Sequence, residues 1–335
     1  MTTATRRYSG IDVETGDEAT LDDIASLRQA VDERIDALLS SKGPADPLTR
    51  AMRASALSAG KRMRPLLVML VARDLGCNSP ALIDVACSVE LVHAASLILD
   101  DLPCMDDASL RRGKPAIHIQ YGEDVAILAS VALLSRAFGI LSQAHDIAPA
   151  TRARLVATLA QTVGDQGLVR GQFEDLHGGA RSAEAIATTN ELKTGLLLGV
   201  AVDMAAIVCH ADDAVAQQLR AFALAAGQAF QIKDDFLDGD DSGVTGKDSG
   251  KDAGKSTLVN AFGRDEAKRR LAACLLEADR CLVGAIGADG LTRRFVAALF
   301  AKDAKAKRFT PDAIKRELRP SAHAADLRVT ELRVN

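Results

Sequence analysis

Residues 89–115, VELVHAASLILDDLPCMDDASLRRGKP, carry the densest chemistry in the chain. An apolar run with helical character delivers Asp100, Asp101, Asp106 and Asp107, and Arg111 and Arg112 follow directly. Carboxylates this crowded repel one another, and beside a buried surface they need cations to offset that repulsion. Hard divalent ions with oxygen ligands meet the need, and Mg²⁺ typically takes one or two carboxylates together with substrate phosphates. A guanidinium offers phosphate a planar fork of donors, so the two arginines extend the same chemistry. The set implies a diphosphate substrate.

A second acidic set lies far downstream in GQAFQIKDDFLDGDD (227–241). Asp234 and Asp238 are an i, i+4 pair on one helix face, with Asp235 beside them. Negative charge at a helix C-terminal end opposes the macrodipole, which again argues for a metal partner. Upstream, AGKRMRP (59–65) places Lys61, Arg62 and Arg64 at the start of a helix opened by Pro65, where free amides already favour an anion. His93 and Ser96 stand seven and four residues before Asp100 and so share its helix face. Pro103 disturbs the helix inside the acidic motif, which leaves open whether Asp106 or Asp107 turns to the metal.

These residues need long helices to hold them. Apolar positions follow a helical period over 21–39, to about 57, and over 81–101, 124–143, 150–177, 183–209 and 212–238. Breakers such as SKGPADP (41–47), HDIAP (145–149) and HGGARS (177–182) separate them, with no alternating strand pattern and no fixed repeat. The expectation is an all-α, single-domain bundle of roughly ten or more helices around a central cavity. A polar, mobile arm is expected over 1–19, the main domain over 20–302 and a polar tail over 303–335. Gly195 and Gly199 weaken their helix, as expected where a backbone or ligand comes close.

Composition narrows the classes further. Hydrophobic content of 48% and charged content of 26% describe a globular protein, and 9 Pro with no Trp favour helix. A net charge of −4 gives no reason to expect nucleic-acid binding. The six cysteines form no CxxC pair or zinc spacing and read as small core residues of a reducing cytoplasm. The N-terminus has no apolar signal segment, and no uninterrupted apolar run reaches the ~20 residues of a bilayer span. A cytoplasmic protein without a membrane span is expected. TGKDSGKDAGKST (245–257) looks like a phosphate loop, but Ser249 stands where the Walker pattern needs glycine, and no strand precedes it.

Two aspartate-rich motifs separated by helices, with GKRMRP upstream, resemble the trans-isoprenyl diphosphate synthases over most of residues 50–265. DDLPCMDD is similar to the bacterial form of the family's first motif, with two extra residues, and DDFLD to its second. LVHAASLILDDLPCMDDASLRRGKP, VAILASVALLSRAFG and TGKDSGKDAGKSTLVN look most like the carotenoid-pathway members that make geranylgeranyl diphosphate. The resemblance implies Mg²⁺, three ions per site, bridging Asp100, Asp106 and Asp234 to an allylic diphosphate, with Asp101, Asp107, Asp235 and Asp238 in support. Arg111, Lys193 and Lys255 would hold that diphosphate, with Thr194, Gln231, Lys247 and Asp252 at further positions. Lys61, Arg64, His93 and Arg112 would hold isopentenyl diphosphate. Asp100, Asp106, Asp234 and Lys193 would carry catalysis, and Gln172 and Asp175 would line the site. Ala59 stands where many members have glycine, and Lys233 precedes the second motif where the family varies. Small Ala95 and Ser96, five and four residues before Asp100, would leave room for a long prenyl tail. A homodimer is also implied.

Such an enzyme ionises the allylic diphosphate, adds the isopentenyl double bond to the cation and loses a proton, with released diphosphate as the base. A class I terpene cyclase would carry one such motif and an aromatic-rich pocket, whereas aromatic content here is 3%. A non-catalytic partner subunit would have lost an acidic motif or the basic set. A farnesyl diphosphate synthase differs least.

Overall fold

The computed structural model describes residues 14–41, 43–177, 195–239 and 262–301; side chains are not described at 14–22, 237–239 and 301. Among these residues the chain is helical throughout, apart from one two-residue hairpin. α1 spans Glu14–Leu39, α2 Pro47–Ala56, α3 Met63–Asp74 and α4 Leu82–Asp100. β1 (Leu110–Arg111) and β2 (Lys114–Pro115) pair antiparallel, and α5 (Ile117–Tyr121), α6 (Glu123–Ser142), α7 (Pro149–Val163) and α8 (Leu168–His177) follow. After the break come α9 (Leu196–Val208), α10 (Asp213–Gly239), α11 (Arg264–Ile286) and α12 (Leu291–Ala301).

The most apolar helices take the centre, because a helix apolar all round has no face to show to water. α4 packs between α3 and α6, and α9 packs against α3, α4, α7 and α10. α10 in turn carries α11, and α12 lies on α3. Leu91, Ile98, Leu133, Leu197 and Leu198 are among the largest fully enclosed side chains. At the Gly195–Gly227 crossing, a Cβ on Gly227 would stand 3.0 Å from the Gly195 Cα. Two backbones touch there, which accounts for Gly195. Gly199 has nothing within 4 Å of a Cβ, so close approach by the protein does not explain it.

Two boundaries differ from expectation. α1 starts at Glu14, inside the stretch expected to be an arm, because extending a nucleated helix is cheap even through the weak helix formers Thr15, Gly16 and Asp17. The segment expected to be continuous over 150–177 breaks at 164–167, where a Cβ on Gly167 would lie 2.0 Å from the Thr162 carbonyl oxygen. Two helices, α4 and α6, are long and apolar enough in composition to cross a bilayer, although Glu90 interrupts the apolar run of α4 and Arg136 that of α6. The most apolar window of α4 is 67% buried within the protein and that of α6 only 39%. The remainder of the expected arm and all of the tail lie outside the described residues.

Candidate active site

α4 is largely enclosed; apart from Ile83 and Asp84 at its start and Leu99 near its end, its partly exposed residues are His93, Ser96, Leu97 and Asp100, which form one stripe. Residues i, i+3, i+4 and i+7 lie on one helix face, so this is the wall expected from the spacing. The helix ends at Asp100, and the chain turns back over it: the Asp106 amide donates to the Asp100 carbonyl at 2.9 Å. Asp107, at φ 49°, donates its amide to the Leu102 carbonyl at 3.0 Å and is exposed, whereas Asp106 is half-buried. The proline-containing turn thus sets the Asp106 backbone against the end of α4 beside Asp100.

The hairpin sends its two arginines to different places. Arg112 (φ 54°) and Gly113 (φ 75°) form the tight turn, with Arg111 opposite Lys114. The Arg111 Nε donates to both oxygens of buried Asp101, at 2.9 and 3.2 Å. Burial disfavours the Arg111 charge, but Asp101 more than offsets it, and Asp100 and Asp106 add to the pull. Arg112 instead crosses to the loop before α3, where Nη1 donates to Ser58 Oγ at 2.9 Å. A Cβ on Gly60 would lie 2.7 Å from that Nη1, so the glycine makes the seat. Arg111 and Asp101, expected to act on the diphosphate and the metal, are tied to each other here.

The loop before α3 brings the remaining basic groups in. Lys61 is exposed, Arg62 is the N-cap of α3 in the left-handed region at φ 49°, and Arg64 stands in the first turn. Arg62 is buried and donates to Glu90 Oε1 at 2.8 Å and Asp32 Oδ1 at 2.6 Å. Burial opposes its charge, and Glu90, then Asp32, more than restore it. Arg64 has an enclosed Nε without a hydrogen-bond partner. Burial lowers its pKa, Arg112 lowers it further, and Glu90 and Asp234 pull the other way. Burial, then Arg64, Arg112, Arg111 and Arg62, holds the His93 imidazole neutral, well below its usual titration range.

On α10, Asp234 is exposed while Asp235 is buried and accepts from Gln231 Nε2 at 3.1 Å. Both polar atoms of the Gln172 amide on α8 are enclosed without a partner. Such orphans are rare in native proteins and mark a place where a ligand can bind. Lys193, Thr194, Lys247, Asp252, Lys255 and the Asp238 side chain lie outside the described residues. Ala95 is fully buried beneath α6, its carbonyl accepting from Ser130 Oγ at 3.1 Å, and half-buried Ser96 donates to the His93 carbonyl at 3.0 Å.

Sequence reasoning placed Arg62 in the basic loop but missed its partners, Glu90 and Asp32. Their signal was an acid within an apolar run, Glu90 in VELV and Asp32 beside Val31. It also missed His118, a buried imidazole with an unpartnered Nδ1.

Among the described residues, no three Asp, Glu, His or Cys side chains form a ready-made cation cage. Carboxylates spread over two helix ends suit Mg²⁺, which binds through one or two carboxylates plus substrate phosphates and keeps several waters.

An all-helical core with two acidic helix ends and a basic loop between them defines a diphosphate-handling class. The chain belongs to the polyprenyl synthetase family, whose model matches residues 45–281. A geranylgeranyl diphosphate synthase of Pantoea ananas is 50% identical over 287 residues, 84% of this chain and 94% of that protein. A farnesyl diphosphate synthase of Bacillus subtilis is 35% identical over 269 residues, 78% of this chain and 90% of that protein. The crystal structure of a geranyltransferase from Helicobacter pylori complexed with magnesium and isoprenyl diphosphate superposes with a TM-score of 0.71. It is 29% identical and covers 84% of this chain and 96% of that one.

Proposed function

We propose that the chain is a prenyltransferase that condenses isopentenyl diphosphate with dimethylallyl, geranyl or farnesyl diphosphate and releases geranylgeranyl diphosphate. One observation carries the reading: the loop before α3 and the hairpin bring a line of basic groups to the acidic end of α4, with Arg112 joining the two segments. Arg112 Nη1 donates to Ser58 Oγ at 2.9 Å beside Gly60, Arg111 on the same hairpin pairs with Asp101 next to Asp100, and Asp234 on α10 raises the pKa of Arg64 in the first turn of α3. Two diphosphates laid along that basic line would have a metal-binding carboxylate at either end. The greater likeness to a geranylgeranyl than to a farnesyl synthase supports the twenty-carbon product, and through it a role in carotenoid supply.

Asp100, Asp106 and Asp234 would hold Mg²⁺, three ions in our reading, and Asp107, Asp235 and Asp238 would support them. The bound ions would neutralise the allylic diphosphate as its C–O bond breaks. Arg111, Lys193, Thr194, Gln231, Lys247 and Lys255 orient that diphosphate. Lys61, Arg64, neutral His93 and Arg112 hold the isopentenyl diphosphate so that its double bond faces the breaking bond. Gln172 supplies both halves of an amide to whichever polar group enters its enclosure. Apolar α4 and α9 keep water from the developing cation.

The reading is tested with purified protein, Mg²⁺, labelled isopentenyl diphosphate and each primer in turn, with the products sized by chromatography. A twenty-carbon product is expected, and no chain elongation with any primer would reject the assignment. Lys61→Ala and Arg64→Ala are expected to raise KM for isopentenyl diphosphate by roughly tenfold or more, the loss of a charge-assisted hydrogen bond. Equal rises for the allylic substrate would show the partition to be wrong.

Tail length is set along α4. Ser96 shares the face of Asp100 one turn deeper, about 6 Å away, while Ala95 faces α6. Ser96→Phe and Ala95→Phe are each expected to shorten the product towards fifteen carbons, the first by filling the open face and the second by shifting α6. Overpacking at Ala95 should also cost ~1–3 kcal/mol of stability. A folded, active pair that still makes only the twenty-carbon product would move the tail to another wall.

The exposed apolar stripe of α5 and α6, with Ile119, Ile127, Leu128 and Val131 each 44–58% exposed, supports a homodimer through that face. Sedimentation at the 35.3 kDa of a single chain would reject it. A cytoplasmic enzyme of diphosphate substrates, with no nucleic-acid partner and no membrane-spanning segment, fits the net charge of −4 and the enclosure of α4.

A further inference from the structure

Lys233 precedes the second acidic motif, yet it faces away from the open side of that motif. It is 7% exposed, and its Nζ donates to the Leu299 carbonyl at 3.0 Å in the last described turn of α12. The same ammonium lies 5.3 Å from the centre of the Phe300 ring, which packs tilted by 31° against Phe230 of α10 with ring centres 4.5 Å apart. A buried ammonium is costly unless it is well partnered, and a backbone carbonyl with an aromatic face meets that cost.

The far end of α12 is fixed as firmly. Asp74, the last residue of α3, accepts from the Leu291 and Thr292 amides at 2.7 and 2.8 Å, capping the N-terminus of α12. α12 therefore joins α3, whose first turn carries Arg64, to α10 at the acidic motif. Along α10, Lys233 is locked to α12 and Asp235 is buried with Gln231, which leaves Asp234 between them as the exposed carboxylate.

We propose that Lys233 is a positioning residue: by clamping α10 to α12 it sets the helix rotation that presents Asp234 to the metal-bound diphosphate. The proposal rests on the prenyltransferase reading above. Its test uses the full chain with Lys233→Met, Lys233→Arg and Phe300→Leu. The first readout is the rise in melting temperature produced by Mg²⁺ with inorganic diphosphate, which needs no turnover. The second is the Mg²⁺ concentration giving half-maximal condensation.

Lys233→Met is expected to bind Mg²⁺–diphosphate about tenfold more weakly, the scale on which groups that support metal ligands act. KM for isopentenyl diphosphate should stay within about twofold, because the basic loop keeps its own supports. Lys233→Arg should restore part of the loss. If Lys233→Met does not fold, Phe300→Leu loosens the clamp from the α12 side and should weaken Mg²⁺–diphosphate binding in the same direction. A Lys233→Met protein that melts earlier but binds Mg²⁺–diphosphate like the wild type would overturn the proposal. Equal loss of affinity for every ligand would also overturn it. Wild-type protein that binds Mg²⁺–diphosphate but elongates no primer would reject the prenyltransferase reading and leave the clamp standing.

Discussion

Asp100→Ala and Asp234→Ala are each expected to lower kcat by about 10²–10³-fold or more, the scale seen when one preorganised stabiliser of transition-state charge is lost. The melting temperature should stay level or rise. Both carboxylates lie towards the C-terminal ends of their helices, where negative charge meets the negative end of the macrodipole. Asp234 is exposed, and exposed substitutions usually change stability by less than about 0.5 kcal/mol. Loss of activity without loss of fold would separate a catalytic from a structural role. The Mg²⁺ dependence adds a second check, since fewer carboxylates should raise the concentration needed for half-maximal rate. Near-normal turnover in either purified variant would sink the metal assignment, and a fall in kcat matched by loss of helical signal would leave it unsupported.

The helices that position this site were legible because their apolar stripes are long and their breakers unambiguous. α4 was read over 81–101 and runs Leu82–Asp100; α6 was read over 124–143 and runs Glu123–Ser142. The face shared by His93, Ser96 and Asp100 followed from helical spacing, and the structure leaves those residues partly open on a largely enclosed helix. Periodicity could not reach the irregular segments. The fold-back that sets Asp106 against the Asp100 carbonyl depends on φ angles around Pro103 and Asp107, and hydrophobic pattern does not encode these. The hairpin that splits Arg111 from Arg112 is two residues a side, too short for an alternating signal. Both arginines look like phosphate ligands in sequence. Only the fold shows that Arg111 is paired with Asp101 while Arg112 lies on Gly60. A pairing across 28 residues, such as Arg62 with Glu90, is likewise invisible until the helices pack.

That pair gives the largest expected effect on stability. Arg62 and Glu90 side chains are 3% and 5% exposed, and their 2.8 Å contact takes both charges out of water together. Removing one partner of such a pair leaves the other charge buried and uncompensated, at a cost of about 3–5 kcal/mol. Glu90→Ala should fall towards the lower end of that range, because Asp32 still accepts from the Arg62 Nε at 2.6 Å. Replacing the pair by apolar groups of similar size is often neutral, so Arg62→Met with Glu90→Leu should recover most of the lost stability. Activity should follow a different course. Arg62 holds its left-handed backbone between Lys61 and Arg64, and conformations of this kind persist only when the surroundings enforce them. Without the pair, the double variant should be nearly as stable as wild type yet show a higher KM for isopentenyl diphosphate. Chemical denaturation and steady-state kinetics on the same samples decide the matter. A Glu90→Ala protein with unchanged stability would mean that Asp32 alone satisfies the buried guanidinium. A double variant with wild-type KM would mean that the α3 N-terminus keeps its shape without it.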